Sequence, residues 1–304
     1  MNRRQFLQTS LAAAASVTLA AKAADTLSTT PATAPATAPA TAPSVPDSPA
    51  TKIIELGPEK IRASRMAMGT GTYGAGYSSN QLRQLGPDGL AALLVHAYER
   101  GITFWDTSDS YGTHAAIKIA LKKVPRDKVT ILTKTDTLDP AELKQDLVRF
   151  QQELGTDYID MILLHSRTDG NWDTEDKPLM DILSDAKQKK IVRSVGISIH
   201  SLEAMQTAAK SKWLEVCMIR LNPAGIRMDD TPENVLKVAN QVKAAGKGII
   251  NIKVLGEGQL RGNLDEALTY TLTKSPAHAF SLGQESIEEF DDNFARIQKL
   301  SKTV

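Results

Sequence analysis

GITFWDTSDSYG, residues 101–112, is the stretch that decides the fold prediction. It starts as a short apolar run typical of a buried strand, and polar residues that include Asp106 and Tyr111 follow directly. Similar apolar runs alternate with amphipathic segments along the whole chain. Alternation of strands and helices predicts a parallel α/β sheet, and eight such runs favour a closed (β/α)8 TIM barrel over an open doubly wound sheet. The runs are residues 65–70, 102–107, 128–134, 158–165, 192–198, 214–220, 248–254 and 277–282.

Helical patterns and a small hairpin complete this prediction. Residues 139–155 carry apolar side chains at every third or fourth position, which indicates a helix with one buried face. Asp139 before Pro140 predicts the N-cap and first turn of this helix, and Gly155 predicts its end. A short N-terminal hairpin is expected over residues 52–64, ahead of the barrel. The helical pattern also covers residues 88–101, 231–246 and 286–300.

Composition limits the classes of function. The chain has 304 residues, 41% of them hydrophobic, and a formal net charge of +1. A near-neutral chain argues against nucleic acid as the main partner, since that role usually requires a basic face. Cys217 is the single cysteine, which excludes an intramolecular disulfide, and its apolar setting predicts a buried thiol. The histidines show no metal-ligand spacing, so neither a metal ion nor an iron–sulfur cluster is expected.

Residues 1–23 have the organisation of an export signal. Arg3 and Arg4 precede a mildly apolar stretch, and the small residues at 21 and 23 are typical of a cleavage site. The stretch is too short and too rich in alanine to span a bilayer, so no stable membrane anchor is expected. The paired arginines resemble a twin-arginine signal, which implies the twin-arginine export machinery as a partner and the bacterial periplasm as the destination. A general secretory signal is the alternative.

Residues 24–50 are rich in Ala, Thr and Pro. Such a composition offers too little apolar surface to offset the entropy of ordering, so this segment is predicted to be a disordered linker. The folded barrel domain is then expected over residues 51–304.

Residues 69–74 fit the G-x-G-x-x-G pattern of the open dinucleotide-binding fold. No helix follows immediately, and Leu93 and Leu94 stand where a ribose-binding acid would be required. The expectation is instead that these glycines let the first barrel loop pass close to a ligand.

Polar residues at the ends of consecutive predicted strands form the candidate catalytic group. Asp106 ends the second strand, Lys134 the third and His165 the fourth, while Tyr111 lies in the loop after the second. Each residue alone has a purely structural explanation, such as a capping acid or a surface lysine. Because a barrel collects the C-terminal ends of its strands at one face, we expect these side chains to meet there.

The spacing from Asp106 to Tyr111, with Lys134 in ILTK and His165 in MILLH, resembles the aldo-keto reductases. The likeness covers nearly all of residues 52–300. It implies an NAD(P)-dependent oxidoreductase, in which hydride passes from a reduced nicotinamide to the carbonyl carbon of an aldehyde or ketone, or in the reverse direction.

The resemblance also implies a role for each residue. Tyr111 would donate the proton that the carbonyl oxygen requires. Lys134 would stabilise the phenolate of Tyr111, and Asp106 would hold Lys134 by a charge-assisted hydrogen bond. His165 would orient the carbonyl by donating a hydrogen bond, or would assist the proton relay.

Cofactor contacts are implied at several positions, and at others the chain departs from the family. Ile199, Met218 and Ile252 replace polar or aromatic residues around the nicotinamide. NADP(H) is slightly favoured over NAD(H) because the family favours it, although Glu289 would repel a 2′-phosphate. The implied cofactor contacts are Gly69, Thr70, Asp106, Ser198, Lys253, Leu255, Gly256, Gly283, Gln284 and Asn293.

A small carbonyl compound is the expected substrate, with Trp105, Trp172 and the loop over residues 166–176 as its contacts, and a monomer is expected. Packing within the loops is an equal alternative for both tryptophans. The departures around the nicotinamide motivate an alternative, a non-catalytic nucleotide-binding barrel that acts as a redox sensor or scaffold. A periplasmic binding protein is a third hypothesis, although such proteins usually close two lobes around a hinge.

Overall fold

Strands and helices alternate throughout residues 48–300, the part of the chain that the computed structural model describes. The strands are β1 Ile53–Leu56, β2 Ile61–Ser64, β3 Met66–Gly69, β4 Phe104–Asp106, β5 Thr130–Thr135, β6 Ile159–Arg167, β7 Val192–Ile199, β8 Val216–Arg220, β9 Gly248–Ile252 and β10 Ala279–Gly283. The helices are α1 Asn80–Glu99, α2 His114–Ala120, α3 Pro140–Leu154, α4 Trp172–Glu175, α5 Lys177–Gln188, α6 Leu202–Lys210, α7 Pro232–Ala244, α8 Leu264–Thr273 and α9 Ile287–Leu300. Short 3₁₀ helices occupy Asp109–Tyr111, Arg126–Lys128, Gly256–Gly258 and Arg261–Asn263.

Strands β3 to β10 close into a barrel of parallel strands. At the seam β10 pairs with β3, and Gly283 lies opposite Gly69. β1 and β2 form a separate antiparallel hairpin in which Ile53 lies opposite Ser64. The predicted (β/α)8 barrel with a short N-terminal hairpin is therefore confirmed, and a closed sheet excludes the open dinucleotide fold for residues 69–74.

Successive residues of each barrel strand face opposite sides of the sheet. In β4, Phe104 packs inside the barrel with Leu132 and Met161, whereas Trp105 packs in the outer layer between strands and helices. Asp106 lies two residues beyond Phe104 and faces the interior again. The inward-facing rows of the core thus continue into polar side chains at the C-terminal ends of the strands.

Helix α3 shows how local sequence sets the ends of a helix. The Asp139 carboxylate accepts a hydrogen bond from the backbone N–H of Ala141 at 2.7 Å, and Pro140 occupies the first turn. Gly155 ends the helix with a φ of 70°, a left-handed conformation that glycine adopts without strain. Both predicted ends of this helix are confirmed.

Helix α1 is longer than the helix predicted over residues 88–101. It begins after Ser79, whose hydroxyl accepts a hydrogen bond from the backbone N–H of Leu82 at 3.2 Å. Gly86 has a φ of 64° and precedes Pro87, so the helix is interrupted there. The sequence pattern detected only the later segment because glycine and proline break the helical repeat.

Parts of the predicted chain organisation fall outside residues 48–300. The signal over residues 1–23, most of the linker over residues 24–50 and the last residues, 301–304, lie outside the described part of the chain. Between residues 48 and 300, no helix has the length and apolar character needed to cross a membrane.

Candidate active site

Lys134 and Asp106 form a buried ion pair at the C-terminal face of the barrel. Lys134 Nζ donates to Asp106 Oδ1 at 2.6 Å and to the carbonyl oxygen of Thr107 at 2.7 Å. The second carboxylate oxygen of Asp106 accepts a hydrogen bond from the Ser281 hydroxyl at 2.7 Å. Lys134 is 1% exposed and Asp106 is 6% exposed. Direct contacts therefore compensate both charges, as burial requires.

Electrostatics keep Lys134 cationic next to Tyr111. Burial alone lowers the pKa of Lys134, but the charge of Asp106 and the interaction with Tyr111 outweigh burial and raise the pKa above its ordinary value. The Nζ atom lies 4.8 Å from the centroid of the Tyr111 ring. A positive charge is thus held against the phenol at neutral pH.

Tyr111 is carried by the 3₁₀ helix Asp109–Tyr111, which follows β4. Arg149 of α3 binds both carboxylate oxygens of Asp109, at 2.7 and 2.8 Å, so this turn is fixed to an outer helix. Burial raises the pKa of Tyr111, and the positive charge of Lys134 offsets only part of that rise. Lys134 thus acts in the predicted direction, but burial is the larger effect and the phenol is protonated at neutral pH.

Two glycines of the loop after β3 lie against the Tyr111 ring. A Cβ atom on Gly71 would lie 2.1 Å from Cε2 of the ring, and one on Gly74 would lie 2.4 Å from Cδ1. Neither position can hold a side chain unless Tyr111 moves. Gly71 and Gly74 thus approach a protein side chain. Gly69 and Gly71 also line a cavity beside Tyr111, so the close approach to a ligand expected of this loop stays a prediction.

His165 lies near the end of β6, edge-on to Tyr111 with the ring centroids 5.8 Å apart. Its Nδ1 is 2.8 Å from Asp136 Oδ1 and 3.3 Å from Ser108 Oγ. Burial is the largest effect on the pKa of His165 and lowers it, although Asp136 acts in the opposite direction. The fold thus brings together all the side chains of the predicted catalytic group, which are Asp106, Tyr111, Lys134 and His165.

A cavity of about 330 Å³ opens beside this group. It extends from Tyr111 and Lys134, at the C-terminal face of the barrel, to Glu285 in the loop before α9 and Glu289 in the first turn of α9. The sequence-predicted cofactor residues that line it are Gly69, Asp106, Lys253, Leu255 and Gly283.

The departures from the family pattern fall into two groups. Met218 and Ile252 line the cavity, so its inner wall has an aliphatic surface. Ile199 is packed in the outer layer and does not face the cavity. Two of the three departures therefore bear directly on ligand contacts.

The other predicted cofactor residues do not line the cavity. The Thr70 hydroxyl donates to the carbonyl oxygen of Asp106 at 3.0 Å, and the Ser198 hydroxyl accepts from the backbone N–H of Ser166 at 2.9 Å. Gln284 is fully buried, and its side-chain N and O atoms have no hydrogen-bond partner among the described residues. Cofactor contacts through these side chains stay predictions. The residues of this group are Thr70, Ser198, Gly256, Gln284 and Asn293.

Ser281, Asp136 and Glu285 also belong to the site, although none of them was predicted from the sequence. Ser281 had a usable signal, because it lies two residues beyond Ala279, an interior residue of the same strand. Asp136 comes from the loop after β5, and its contact with His165 depends on how two loops meet. No sequence pattern predicts such a contact between two loops.

The structure also tests predictions for two tryptophans and the cysteine. The prediction that Trp105 and Trp172 contact the substrate is wrong, because their exposed fractions are 0% and 1%. Trp105 faces the outer layer since its neighbour Asp106 faces the interior, and Trp172 Nε1 donates to the carbonyl oxygen of Ala204 at 3.1 Å. The buried thiol predicted at Cys217 is confirmed, and burial raises its pKa to about 12.

Asp109, His114 and Glu153 offer potential metal-ligand atoms that lie within 4.8 Å of one another. Folding creates this proximity, which the linear spacing of the histidines did not reveal. The Arg149 guanidinium binds both carboxylates, and His114 Nδ1 lies 2.9 Å from Glu153 Oε2. The arginine thus offsets part of the negative charge of the cluster, which makes it an ion-pair network that ties α2 and α3 to the Tyr111 turn.

Comparison with known proteins supports the resemblance seen in the sequence. The model of the aldo/keto reductase family matches residues 65–303, and the model of the twin-arginine translocation signal matches residues 1–20. The chain is 26% identical over 170 residues to the NADH-specific methylglyoxal reductase of Escherichia coli K12, covering 48% of this chain and 51% of that protein. It is 29% identical over 213 residues to an aldo-keto reductase of Alternaria alternata, covering 56% of each. The chain therefore spans about half the length of these curated relatives.

Solved structures share the fold. A Pseudomonas aeruginosa protein provisionally assigned to the aldo-keto reductases superposes with a TM-score of 0.67 and 19% identity, covering 84% of this chain and 99% of the other. An aldo/keto reductase of Klebsiella pneumoniae, in complex with NADP and acetate, gives a TM-score of 0.62 and 19% identity over 83% of this chain and 95% of the other. At such identities these structures show the fold alone. The family model, however, covers almost the whole barrel, and the chain therefore belongs to the aldo/keto reductase family.

Proposed function

We propose that the protein is a NAD(P)H-dependent reductase of small aldehydes or ketones, able to run in either direction. The observation that carries the proposal is the contact of 2.6 Å between Lys134 Nζ and Asp106 Oδ1, beside Tyr111 at the inner end of a cavity. A buried cation next to a phenol is the pair that carbonyl reduction requires, because the oxygen gains negative charge as hydride reaches the carbon.

The residues around the cavity fit a nicotinamide dinucleotide. Gly69, Gly258 and Gly283 leave parts of the wall without side chains, and a Cβ atom on Gly283 would lie 2.3 Å from Thr72 Oγ1. Lys253 on the wall is paired with Glu257, so it would bind a pyrophosphate by exchanging that carboxylate for a phosphate oxygen. The nicotinamide supplies the hydride when it is bound.

The protein's own residues manage the proton. The Tyr111 hydroxyl gives its proton to the carbonyl oxygen, which leaves a phenolate on the protein. Lys134 stabilises that phenolate by its charge, and Asp106 holds the lysine in place. A positioned acid of this kind typically contributes about 10² to 10⁴ in rate. The raised pKa of Tyr111 means that the proton is available throughout the neutral range.

The carboxylates at the outer end of the cavity support NADH as the preferred cofactor. Asn80 and Gln84 donate to the Glu285 carboxylate at 2.9 and 2.7 Å, which holds it at the cavity wall. Arg261 lies 4.0 Å from Glu285 and 3.9 Å from Glu289, so negative charge is in excess. Carboxylates accept hydrogen bonds from ribose hydroxyls and repel a 2′-phosphate. The slight preference for NADP(H) expected from the family resemblance is therefore replaced by a proposal of NAD(H).

A nucleotide titration tests this proposal directly. The purified protein is titrated with NADH and with NADPH while quenching of tryptophan fluorescence is followed. Small aldehydes and ketones are then screened for their ability to oxidise whichever nucleotide binds. We expect tighter binding of NADH and turnover of at least one short carbonyl compound. Failure to bind either nucleotide would contradict the proposed reductase function.

A non-catalytic nucleotide-binding barrel, acting as redox sensor or scaffold, is the second candidate. Met218 and Ile252 favour it, because they give the inner wall of the cavity an aliphatic surface near the proposed reaction centre. Tight nucleotide binding without turnover of any aldehyde or ketone would select this candidate.

Export completes the proposal. The match of residues 1–20 supports transfer by the twin-arginine machinery to the periplasm. That route would let the barrel fold around a cytoplasmic nucleotide before export. The proposed assembly state is a monomer, which sedimentation equilibrium of the purified protein would test.

A further inference from the structure

One contact at the candidate site involves a residue that has no role in the mechanism described above. Asp136 Oδ1 lies 2.8 Å from His165 Nδ1. Asp136 follows β5, two residues beyond Lys134, and 47% of its side chain is exposed, whereas only 10% of the His165 side chain is exposed. A carboxylate in contact with solvent thus holds a nearly buried imidazole.

Hydrogen-bond chemistry assigns the proton in this contact. An ionised carboxylate oxygen can only accept, and at 2.8 Å it would repel the lone pair of an unprotonated ring nitrogen, so the contact favours a hydrogen on His165 Nδ1. Burial alone raises the pKa of Asp136, but its interactions with His165, Ser110 and Lys134 outweigh burial and lower that pKa. The carboxylate is therefore ionised at neutral pH. A neutral imidazole has a single N–H, so Nε2 is then left without a proton.

We propose that Asp136 is a positioning residue that fixes neutral His165 in the tautomer protonated on Nδ1, with Nε2 presented as a hydrogen-bond acceptor. This inference rests on the proposed reductase function, because it assigns the part that His165 takes in it. Neutral His165 can accept a hydrogen bond from the Tyr111 hydroxyl or from a product alcohol. It cannot donate one to a substrate carbonyl, so the orienting role does not fit the neutral ring. In a proton relay Nε2 could only receive a proton, which suits the direction of alcohol oxidation.

Among the charged groups around His165, Asp136 is the one that can be replaced without breaking the Lys134–Asp106 ion pair. Lys134 lowers the pKa of His165 and Asp106 raises it, and these two are themselves an ion pair. Burial and the charge of Arg220 lower the pKa of His200 to about 3, so that ring is neutral. The titratable groups around the ring are thus Asp136, Lys134, Asp106, Tyr111 and His200. The guanidinium of Arg167, paired with Asp176, also donates to the carbonyl oxygen of His165 at 2.9 Å.

The sign of the Asp136 effect follows from its charge. Asp136 favours the protonated imidazolium, whereas burial, the largest effect, opposes it and leaves the pKa of His165 below its ordinary value. Replacing Asp136 with a neutral residue removes the favourable interaction, so the pKa of His165 should fall further. A residue that served packing alone would not change either the tautomer or this titration.

The experiment is a long-range ¹H–¹⁵N correlation of the histidine rings, which distinguishes protonated from unprotonated ring nitrogens. The chain has five histidines, and His165→Gln identifies the resonances of His165 by their loss. Wild-type protein, Asp136→Asn and Asp136→Ala are compared across a pH titration, with Glu175→Gln as control because it removes an exposed carboxylate on α4 that does not contact His165. Thermal unfolding confirms that each variant is folded, and the half-exposed position of Asp136 makes truncation tolerable.

We expect Nδ1 protonated and Nε2 unprotonated in the wild type and in Glu175→Gln. Asp136→Ala should give a mixture that includes the tautomer protonated on Nε2, a lower pKa for His165 and roughly a tenfold loss of kcat with KM little changed. Wild-type His165 protonated on Nε2, or a tautomer and titration unaffected by either substitution at Asp136, would overturn the inference. The ring signals do not require turnover. If they are as expected and no carbonyl compound is reduced, the proposed function fails while the assignment of Asp136 stands.

Discussion

A Cβ atom on Gly71 would lie 2.1 Å from Cε2 of Tyr111, far inside any normal contact distance. Gly74 makes a similar approach to the same ring, and Lys134 Nζ lies 4.8 Å from its centroid. The loop after β3 therefore defines the space in which the proposed proton donor lies. This relationship gives Gly71 and Gly74 a role that differs from that of a phosphate-binding motif.

Gly71→Ala should displace the Tyr111 ring, because no room exists for a methyl group between them. A misplacement of about 1 Å at a reacting group can cost roughly a hundredfold in rate, and we expect a loss of that order in kcat/KM. Steady-state kinetics with a reducible aldehyde measures it. Gly262→Ala is the matched control, since a Cβ there meets no atom within 4 Å. Equal rates for both variants would show that the ring position is not critical.

Tyr111→Phe removes the proposed proton donor and keeps the ring that packs against Gly71 and Gly74. We expect kcat to fall by about 10² to 10⁴ while the Kd for reduced nucleotide stays close to the wild-type value. Single-turnover kinetics and fluorescence titration separate the two effects. Tyr98→Phe, on α1 and remote from the cavity, is the control. Unchanged turnover in Tyr111→Phe would remove Tyr111 from the mechanism.

Tyr73→Phe should accelerate release of the nucleotide. The Tyr73 hydroxyl donates to the carbonyl oxygen of Glu257 at 2.9 Å and so joins the loops after β3 and β9, which both line the cavity. An exposed neutral hydrogen bond contributes about 1 kcal/mol, which corresponds to roughly a fivefold faster dissociation. Stopped-flow displacement of bound NADH measures the rate. A dissociation rate equal to that of the wild type would mean that this bond does not retain the cofactor.

Glu153→Gln should destabilise the protein at neutral pH and have little effect in acid. Burial alone raises the pKa of Glu153, but bonds from His114 and Arg149 outweigh it, so the folded-state pKa lies below the ordinary value of 4.5. A group with a depressed folded-state pKa stabilises fully above its unfolded-state pKa, and the stabilisation is lost as the pH falls through the folded-state pKa. Partial exposure of Glu153 keeps the effect small.

Thermal unfolding of Glu153→Gln and wild-type protein, at neutral pH and well below pH 4.5, checks this expectation. The difference in Tm should be present at the first condition and shrink at the second. Glu175→Gln serves again as an exposed control that should show no such dependence. A difference in Tm that persists undiminished in acid would indicate a packing effect instead of an ionic one.

Replacing Arg3 and Arg4 together with lysine should block export, since the paired arginines are the feature that matches a twin-arginine signal. Fractionation of cells that express the full chain should then find the precursor in the cytoplasm. Lys22→Gln, in the same signal but outside the pair, should be exported normally. Normal export of the double-lysine variant would instead favour the general secretory route.

The fold and most of the candidate catalytic group were predictable from the sequence for local reasons. Apolar runs that alternate with amphipathic segments report strands and helices directly, because each pattern reflects the side chains that one element buries. Asp106, Lys134 and His165 stood out because each polar residue ends an apolar run. The end of α3 at Gly155 was equally local, since glycine adopts the left-handed conformation that stops a helix.

Other features depend on contacts between distant segments. Ser281 reaches Asp106 across 175 residues of sequence, and the barrel brings them together only when β10 closes on β3. Substrate contact and packing were both open for Trp105, and packing holds because its neighbour Asp106 faces the interior, so the tryptophan faces the opposite side of the sheet. The segment of α1 before the interruption at Gly86 was missed because the helical repeat becomes recognisable only after Pro87.

The sequence by itself determined the barrel, the ends of its strands and the chemical types of the side chains placed there. Only the tertiary structure decided which residues meet. It places Asp136 against His165 and Gly71 against the Tyr111 ring, and it places Glu285 at the outer end of the cavity. The physical reason is that periodicity reports the environment of each element separately. Contacts between loops depend instead on barrel closure, strand register and the packing of helices around the sheet, which the whole chain determines together.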